Sequence, residues 1–187
     1  MPNLNASAAP SDFTTAFGRL LRDGLLRDAL ATNPRAVVER LAVREADRAA
    51  LLGLVPEDLE YQAEVLLRKR MQVVRHLIPE SLHRLQAAAW PLFHAYARIC
   101  WPAGEHPGPR DAYDFATFLK QHQPDSLCGR EWNRLEFLAN RKWLAIHRVR
   151  LPREGENKRR NRHALQVLFR RGREGKRGHE WLFYFQI

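Results

Sequence analysis

The sequence predicts an α+β protein in which an N-terminal helical domain precedes a small basic module that ends in a three-stranded antiparallel sheet. Three observations lead to this prediction. Apolar residues recur at helical spacing through most of the first 140 residues. The pattern then changes to strict alternation near Trp143, as expected for strands. A stretch rich in proline and glycine, residues 101–109, interrupts the helical part and predicts a domain boundary.

Length and composition exclude several classes of protein. The chain has 187 residues, of which 45% are hydrophobic and 28% charged, so it is a globular protein of one domain or two small ones. Its two cysteines exclude a disulfide framework. No apolar run approaches the roughly 20 residues of a membrane span. The first ten residues lack the basic start and apolar core of a signal peptide. We therefore expect a cytoplasmic protein that does not associate with membranes.

The net charge of +10 is unevenly distributed. Residues 1–128 contain fifteen basic and fifteen acidic side chains, whereas residues 129–187 contain sixteen basic and six acidic ones. The entire excess therefore lies in the last third of the chain. A basic module beside a neutral one indicates an acidic partner, which is a nucleic acid, an acidic peptide or an acidic protein surface. Charge alone does not choose among the three.

The helical domain is predicted over residues 11–100, after a disordered tail of residues 1–10. Ser11 or Asp12 is placed to cap the first helix, and Gly24 interrupts it. Asn33 and Pro34 form a cap followed by proline at the first helical position. Further helices are expected at about 44–52, 56–77 and 80–100, the last with a kink or break near Ala89 or Trp90 because Pro91 lies inside it.

The basic module is predicted over residues 110–187, with residues 101–109 as its linker. Helices are expected at about 111–122 and 130–142, and strands at about 143–151, 164–170 and 179–187. Two basic loops join the strands in sequence, which is typical of an antiparallel meander. Two helices followed by a basic hairpin make the module similar to a winged helix.

Patterns that carry catalytic or metal chemistry are missing from the sequence. No two of the eight histidines are spaced three or four residues apart, and neither an HExxH nor a CxxC motif occurs. Cys100 and Cys128 are interpreted as small buried hydrophobic residues. Asp111 and Asp114 are interpreted as capping and dipole-compensating acids at a helix start, not as a catalytic pair. We expect a non-catalytic chain that binds neither iron nor zinc by itself.

Two basic clusters remain as candidate binding residues. Arg70 falls four residues after Leu66, close to the apolar stripe of its helix, so it is expected to pair with an acid or to lie at an interface. The second cluster surrounds the predicted hairpin, where mutual repulsion of so many cations favours a bound acidic ligand. Its candidate peptide-binding residues are Arg148, Arg150, Arg159, Arg160 and Arg162.

Several segments resemble a known family of small proteins. They are Phe17-Gly18-Arg19-Leu20-Leu21, residues 64–79, Trp101-Pro102, Asp111-Ala112-Tyr113-Asp114-Phe115 and residues 131–137. Members of this family pair with a multinuclear non-haem iron enzyme that modifies cysteine in ribosomally made peptides. The complexes of methanobactin and 3-thiaglutamate biosynthesis are its two types. The resemblance covers roughly residues 11–150, and overall similarity favours the 3-thiaglutamate type.

This resemblance implies a division of labour between the two predicted domains. The helical domain, with Arg70 and Trp101, would dock on the iron enzyme, which holds the iron. The C-terminal module would bind the leader of the precursor peptide, with main-chain bonds to an exposed sheet edge. The paired enzyme would then excise the β-carbon of a C-terminal cysteine. The resemblance thus implies a required but non-catalytic subunit of a heterodimer.

A nucleic-acid-binding regulator of the winged-helix type is the alternative. Its recognition helix would be residues 130–142, with the basic hairpin as the wing. Arg130, Asn133 and Arg134 suit such a helix, together with Asn140 and Arg141. Glu131 and Glu136 on the same helix would oppose phosphates.

Overall fold

The computed structural model describes residues 10–102, 107–140, 142–150, 163–170 and 178–185. Nearly all of the predicted N-terminal tail therefore lies outside the described residues. The helices are α1 Phe13–Arg22, α2 Gly24–Thr32, α3 Pro34–Arg40, α4 Glu45–Leu52, α5 Pro56–Leu77, α6 Pro79–Leu85, α7 Ala89–Ala97, α8 Pro107–His122 and α9 Gly129–Ala139. The strands are β1 Leu144–Arg150, β2 His163–Arg170 and β3 Gly178–Phe185. The predicted α+β class is confirmed.

The chain divides into two compact units. The first unit comprises Met1–Lys69 and His94–Trp101, and the second comprises Arg70–Phe93 and Pro102–Ile187. This division differs from the predicted one, because the chain crosses between the units inside α5 and again inside α7 as well as at residue 101. Residues 70–93 were expected in the helical domain, yet they fold with the C-terminal residues. The excess of ten positive charges still lies wholly in the second unit, which has 21 basic and 11 acidic side chains.

Local capping starts α1 and α3 of the first unit as predicted. The Asp12 carboxylate accepts a hydrogen bond from the Thr15 amide at 2.8 Å, which lowers the pKa of Asp12. Asn33 caps α3 in the same way, and Pro34 occupies its first position. The apolar core of this unit includes Leu20, Leu41 and Leu51, all fully buried. These helices are thus stabilised both by local sequence and by burial of one apolar face.

A buried arginine holds α1, α2 and α5 together within the first unit. Arg27 donates to the carbonyls of Leu20 and Leu21 at the end of α1, and its Nε lies 2.6 Å from the Glu60 carboxylate. Arg98 binds the other oxygen of Glu60 at 2.6 Å and also pairs with Asp28. The Glu60 carboxylate therefore bridges two guanidinium groups, of which Arg27 is buried and Arg98 has Asp28 as a second counter-charge. Such a charge is costly to bury unless it is paired and hydrogen-bonded.

Gly24 has a role that the sequence did not predict. It was expected only to interrupt the first helix, and α1 does end before it. Its amide also donates to the Arg98 carbonyl at 2.9 Å. A Cβ at this position would lie 2.9 Å from that carbonyl oxygen, which is closer than real Cβ atoms approach. Glycine is therefore required here because the backbone of residue 98 comes so near.

A buried ion pair links α5 and α8 in the second unit. Arg70 donates from Nε and Nη2 to the two oxygens of Asp111 at 2.9 and 2.7 Å, and the side chains are 10% and 3% exposed. The guanidinium also lies 5.8 Å from the ring centre of Phe93. The prediction that Arg70 pairs with an acid is confirmed. The interpretation of Asp111 and Asp114 as acids at a helix start is wrong, because α8 begins at Pro107 and Asp114 pairs with Arg110.

Two predicted boundaries in the second unit lie elsewhere in the structure. The helix expected over 80–100 breaks at Gln86–Ala88, a short 3-10 segment, where Gln86 adopts a φ of 48°. The break was predicted near Ala89 or Trp90 and lies up to one turn earlier, as expected because Pro91 cannot continue the preceding helix and is tolerated as the third residue of α7. The predicted linker 101–109 is also too long, since Pro107–Pro109 already belong to α8.

The strands follow α9 closely. β1 pairs antiparallel with β2 in a register that places Ile146 opposite Val167, and β2 pairs antiparallel with β3. The order in the sheet is β1-β2-β3, as consecutive strands with direct connections produce. Each strand lies within two residues of its predicted bounds.

We expect Asp111→Asn to destabilise the protein by about 3–5 kcal/mol, because it leaves the buried Arg70 guanidinium without its counter-charge. Asp114→Asn is the matched control, since it breaks the more exposed Arg110–Asp114 pair on the same helix and should cost about 0–1 kcal/mol. Urea unfolding of both variants measures the difference. Equal losses would contradict the assignment of Asp111 as the structural acid.

Acidic pH should lower the stability of the first unit, because it protonates the Glu60 carboxylate. Burial raises the pKa of Glu60, but the hydrogen bonds and charges of Arg27 and Arg98 outweigh burial and hold it below its ordinary value of about 4.5. A depressed carboxylate pKa contributes stability that is complete above the ordinary value and is lost as the pH falls through the folded value. When thermal unfolding is measured from pH 6 downward, the melting temperature of the wild type should therefore fall more steeply with pH than that of Glu60→Gln. Glu57→Gln, an exposed position on the same helix, should keep the wild-type slope.

Candidate functional site

The inner face of the sheet packs on α9 around a buried glutamine. Gln166 of β2 is fully buried between Ala164 and Leu168, which face the same way. Its Oε1 accepts from Asn133 Nδ2 at 3.0 Å, and its Nε2 donates to the Arg130 carbonyl at 2.9 Å. A buried amide is costly unless both of its ends are bonded, so this pairing specifies one register of the strand against α9.

The outer face of the sheet is the more apolar one. Ile146 is 55% exposed, Leu144 is also exposed, and their neighbours Leu165 and Val167 on β2 are half-buried. The register joins Ile146 to Val167 and Arg148 to Leu165 on this face. The alternation in the sequence predicted the two faces of β2 but not which one points inward. The structure buries the face that carries Gln166 and leaves the face with Leu165 and Val167 outward.

The edge of β1 carries the one predicted peptide-binding arginine whose side chain is described. Within the described residues, β1 pairs along one side, with β2. Arg148 is exposed on it, opposite Leu165. Arg150 ends the strand and lies opposite His163. Arg159, Arg160 and Arg162 lie outside the described residues, so their place in the site stays a prediction.

A second polar cluster joins α9, on which the sheet packs, to the start of α6. Sequence reasoning did not predict it. Glu131 of α9 is buried and accepts from the amides of Glu80 and Ser81 at 2.7 and 2.9 Å and from Ser81 Oγ at 2.6 Å. It therefore caps the N-terminus of α6, which has no side-chain cap of its own. Its partners lie about fifty residues away, so no local pattern could have marked it.

The two cysteines occupy different environments. Cys128 is buried, and its thiol lies 2.7 Å from a Glu80 oxygen. Burial, and secondly that hydrogen bond, raises the pKa of the Cys128 thiol, which disfavours the reactive thiolate. The interpretation as a small buried residue is confirmed for Cys128 and is wrong for Cys100, which is exposed.

The polar residues of α9 are already used by internal contacts. Besides Asn133, Arg130 pairs with Glu80 at 3.3 Å, and Arg134 donates to the carbonyl of Leu77. Glu131, expected to repel phosphates on a recognition helix, is instead a buried cap. These contacts leave α9 poorly suited to read base edges.

Trp101 belongs to an exposed apolar region of the first unit. The guanidinium of Arg22 lies 5.4 Å from the centre of the exposed Trp101 ring. Leu25 is 64% exposed, and Ile99 is exposed as well. They come directly after Gly24 and Arg98, whose backbones are hydrogen-bonded to each other. Arg70, the other predicted docking residue, is nine-tenths buried in its ion pair and offers little surface.

Within the described residues, no group of three or more His, Cys, Asp and Glu side chains converges as metal ligands would. The expectation that iron belongs to a partner stays a prediction. Over the same part of the chain, none of the helices combines the length and hydrophobicity needed to cross a bilayer.

Part of the chain is similar to a known protein family. Residues 46–121, which are less than half of the chain, match the family model described as "SCO6045-like, C-terminal domain". The match runs from α4 to the end of α8 and so stops before α9 and the sheet. No curated protein and no solved structure matches the chain.

Gln166→Leu should destabilise the protein by about 1–3 kcal/mol, because the apolar side chain removes the hydrogen bond that the Asn133 amide donates and the one that the Arg130 carbonyl accepts from Gln166. Val167→Gln is the control, since it places the same amide one residue along β2 on the outward face. We expect it to change the free energy of unfolding by less than about 0.5 kcal/mol. Chemical denaturation separates the two, and a larger effect at Val167 would reverse the assignment of the faces.

Proposed function

We propose that this chain is the non-catalytic, peptide-binding subunit of a two-protein, iron-dependent complex that modifies a ribosomally made peptide. The second unit, as a winged-helix-like module, binds the leader of the precursor, and the first unit docks on the iron enzyme. The favoured reaction is the excision of the β-carbon from a C-terminal cysteine, as in 3-thiaglutamate biosynthesis. The proposal takes its reaction and its partner from the family resemblance.

One observation carries the peptide-binding part of this proposal. Within the described residues, β1 pairs on one side only, and its exposed side chains include Arg148 next to Ile146. An edge strand of this kind can accept a further strand, whose main chain supplies affinity and whose side chains supply register. An acidic leader would match the ten excess positive charges of the second unit.

The first unit differs from the second in its charge, and this difference supports the docking part of the proposal. Its ten basic and ten acidic side chains balance, and its exposed apolar residues include Leu25, Ile99 and Trp101. A neutral surface with exposed apolar side chains is typical of a protein–protein interface core. Arg70, although predicted for this role, is better explained as the buried partner of Asp111.

The alternative function as a nucleic-acid-binding regulator is less well supported. It needs α9 as the recognition helix, yet the described polar side chains Arg130, Asn133 and Arg134 bond within the second unit. Binding of duplex DNA by the wild type tests this alternative.

The triple variant Arg159→Glu, Arg160→Glu and Arg162→Glu should weaken binding of the leader peptide more than tenfold, which corresponds to about 1.4 kcal/mol. No single arginine should decide the affinity, because exposed ion pairs contribute only about 0–1 kcal/mol each. The loss should shrink at high salt, since exposed charges are screened beyond about 10 Å at 0.1 M. Fluorescence anisotropy with a fluorescein-labelled acidic leader peptide measures both effects.

The control for this experiment reverses three exposed arginines of the first unit, Arg35, Arg40 and Arg44, and should leave leader affinity unchanged. Both triple variants should still co-purify with the iron enzyme. Leaders N-methylated at alternate backbone amides test strand addition, because only one of the two alternating sets should bind. Unchanged affinity in the first variant, or tight binding of duplex DNA by the wild type at physiological salt, would favour the regulator.

A further inference from the structure

We propose that the outer face of the sheet, distinct from its edge, is a docking surface for an acidic amphipathic helix. The face is formed by Leu144, Ile146 and Arg148 of β1 with Leu165 and Val167 of β2. This inference does not depend on the proposed function, because it rests on the face of the sheet and not on strand addition.

The outer face of the sheet carries more apolar residues than is expected for the solvated face of a sheet, although the inner face also buries Val149, Ala164 and Leu168. A sheet with one solvated face normally turns its apolar residues inward and its polar residues outward. Here the inward residues of β2 are Ala164, Gln166 and Leu168, whereas Leu165 and Val167 lie on the outward side. Contiguous exposed apolar surface of this kind marks an interaction site.

The register continues this apolar face onto β3 at the level of the backbone. Trp181 lies opposite Val167, and Phe183 lies opposite Leu165. The two residues therefore occupy register positions on the same face as Val167 and Leu165. In the backbone register, apolar residues therefore follow one another from β1 to β3.

The composition of the two segments that join the strands argues that neither of them covers this face. Residues 151–162 contain Leu151 and Pro152 as their only apolar side chains, and residues 171–177 contain none. These segments join the strands and cannot supply a second apolar layer. A second copy of the chain is also unsuitable, because each second unit carries ten excess positive charges and two copies would repel each other.

The chemistry of the partner follows from the face itself. A sheet buries its apolar face against helices or against another sheet, and a helix with an apolar stripe covers a face of this width. Arg148 is exposed on the same face as Ile146, so acidic residues beside the stripe would meet a positive charge. The partner is therefore an amphipathic helix with leucine-type residues on one side and glutamate or aspartate on its flanks.

The test uses the full chain and a defined probe. The probe is a synthetic, fluorescein-labelled 18-residue peptide with leucine at helical spacing and glutamate elsewhere. A second peptide replaces glutamate by lysine, and a third has the composition of the first in scrambled order. We expect the first peptide to bind at least tenfold more tightly than either of the others in fluorescence anisotropy.

Variants of the protein locate the binding site. Ile146→Asp should weaken the first peptide at least tenfold, and Leu25→Asp, an equally exposed apolar position on the first unit, should leave its affinity within twofold. Val167→Ser provides a second, milder change on the same face, and circular dichroism verifies that each variant is folded. The proposal is overturned if the wild type binds none of the peptides, binds all three equally, or binds the first one unchanged after both sheet substitutions.

This experiment separates the docking surface from the proposed function. The triple arginine variant tests leader binding along the edge, whereas Ile146→Asp tests helix binding on the face. A chain that binds the helical probe but not the leader would support the surface and contradict the peptide-binding subunit. The opposite result would contradict the surface alone.

Discussion

The bond between the Glu131 carboxylate and the start of α6 is the constraint on which the second unit depends. The two chain segments of this unit, Arg70–Phe93 and Pro102–Ile187, are not contiguous in sequence. Helix α6 has seven residues and no side-chain cap of its own, and so short a helix is marginal by itself. Glu131 supplies the missing cap through two backbone amides and the hydroxyl of Ser81. Hydrogen bonds to a charged group contribute about 1.5–3 kcal/mol each, so this contact outweighs any surface ion pair of the unit.

The position of α9 then decides which face of the sheet is outward. Glu131 and Asn133 lie two residues apart on this helix, the first bonded to α6 and the second to Gln166 of β2. Because side chains alternate along a strand, burial of Gln166 turns Leu165 and Val167 to the other side. A one-residue slip would bury the apolar pair and turn the Gln166 amide to water, and it would break the two hydrogen bonds that join β2 to α9. The outward position of Leu165 and Val167 therefore goes together with these two buried hydrogen bonds.

Local patterns predicted most of the fold, and long-range contacts account for what they did not predict. Asp12, Asn33 and Pro34 act within three residues of the helices that they start, so α1 and α3 were found from sequence. The break predicted near Ala89 or Trp90 lies a few residues earlier, at Gln86–Ala88, and α8 starts earlier than predicted, because Pro91, Pro107 and Pro109 are tolerated in the first turns of their helices. The candidate site was predicted only in part. Arg148 followed from the charge pattern, whereas Glu131 and Gln166 bond residues 33 to 51 positions away in the chain, and nothing local marks such partners.

The apolar face and the arginines should contribute differently to binding. Burying a side chain such as Ile146 or Val167 contributes about 1.5–3 kcal/mol, whereas an exposed ion pair with Arg148 contributes about 0–1 kcal/mol. Affinity for a ligand that covers the face should therefore come mainly from apolar contact. The ten excess charges of the second unit act at longer range and raise the rate at which an acidic ligand arrives. Salt should then slow association more than it speeds dissociation. A ligand without its acidic residues should bind weakly because it associates slowly, whereas a ligand without its apolar stripe should bind weakly because it makes too little apolar contact.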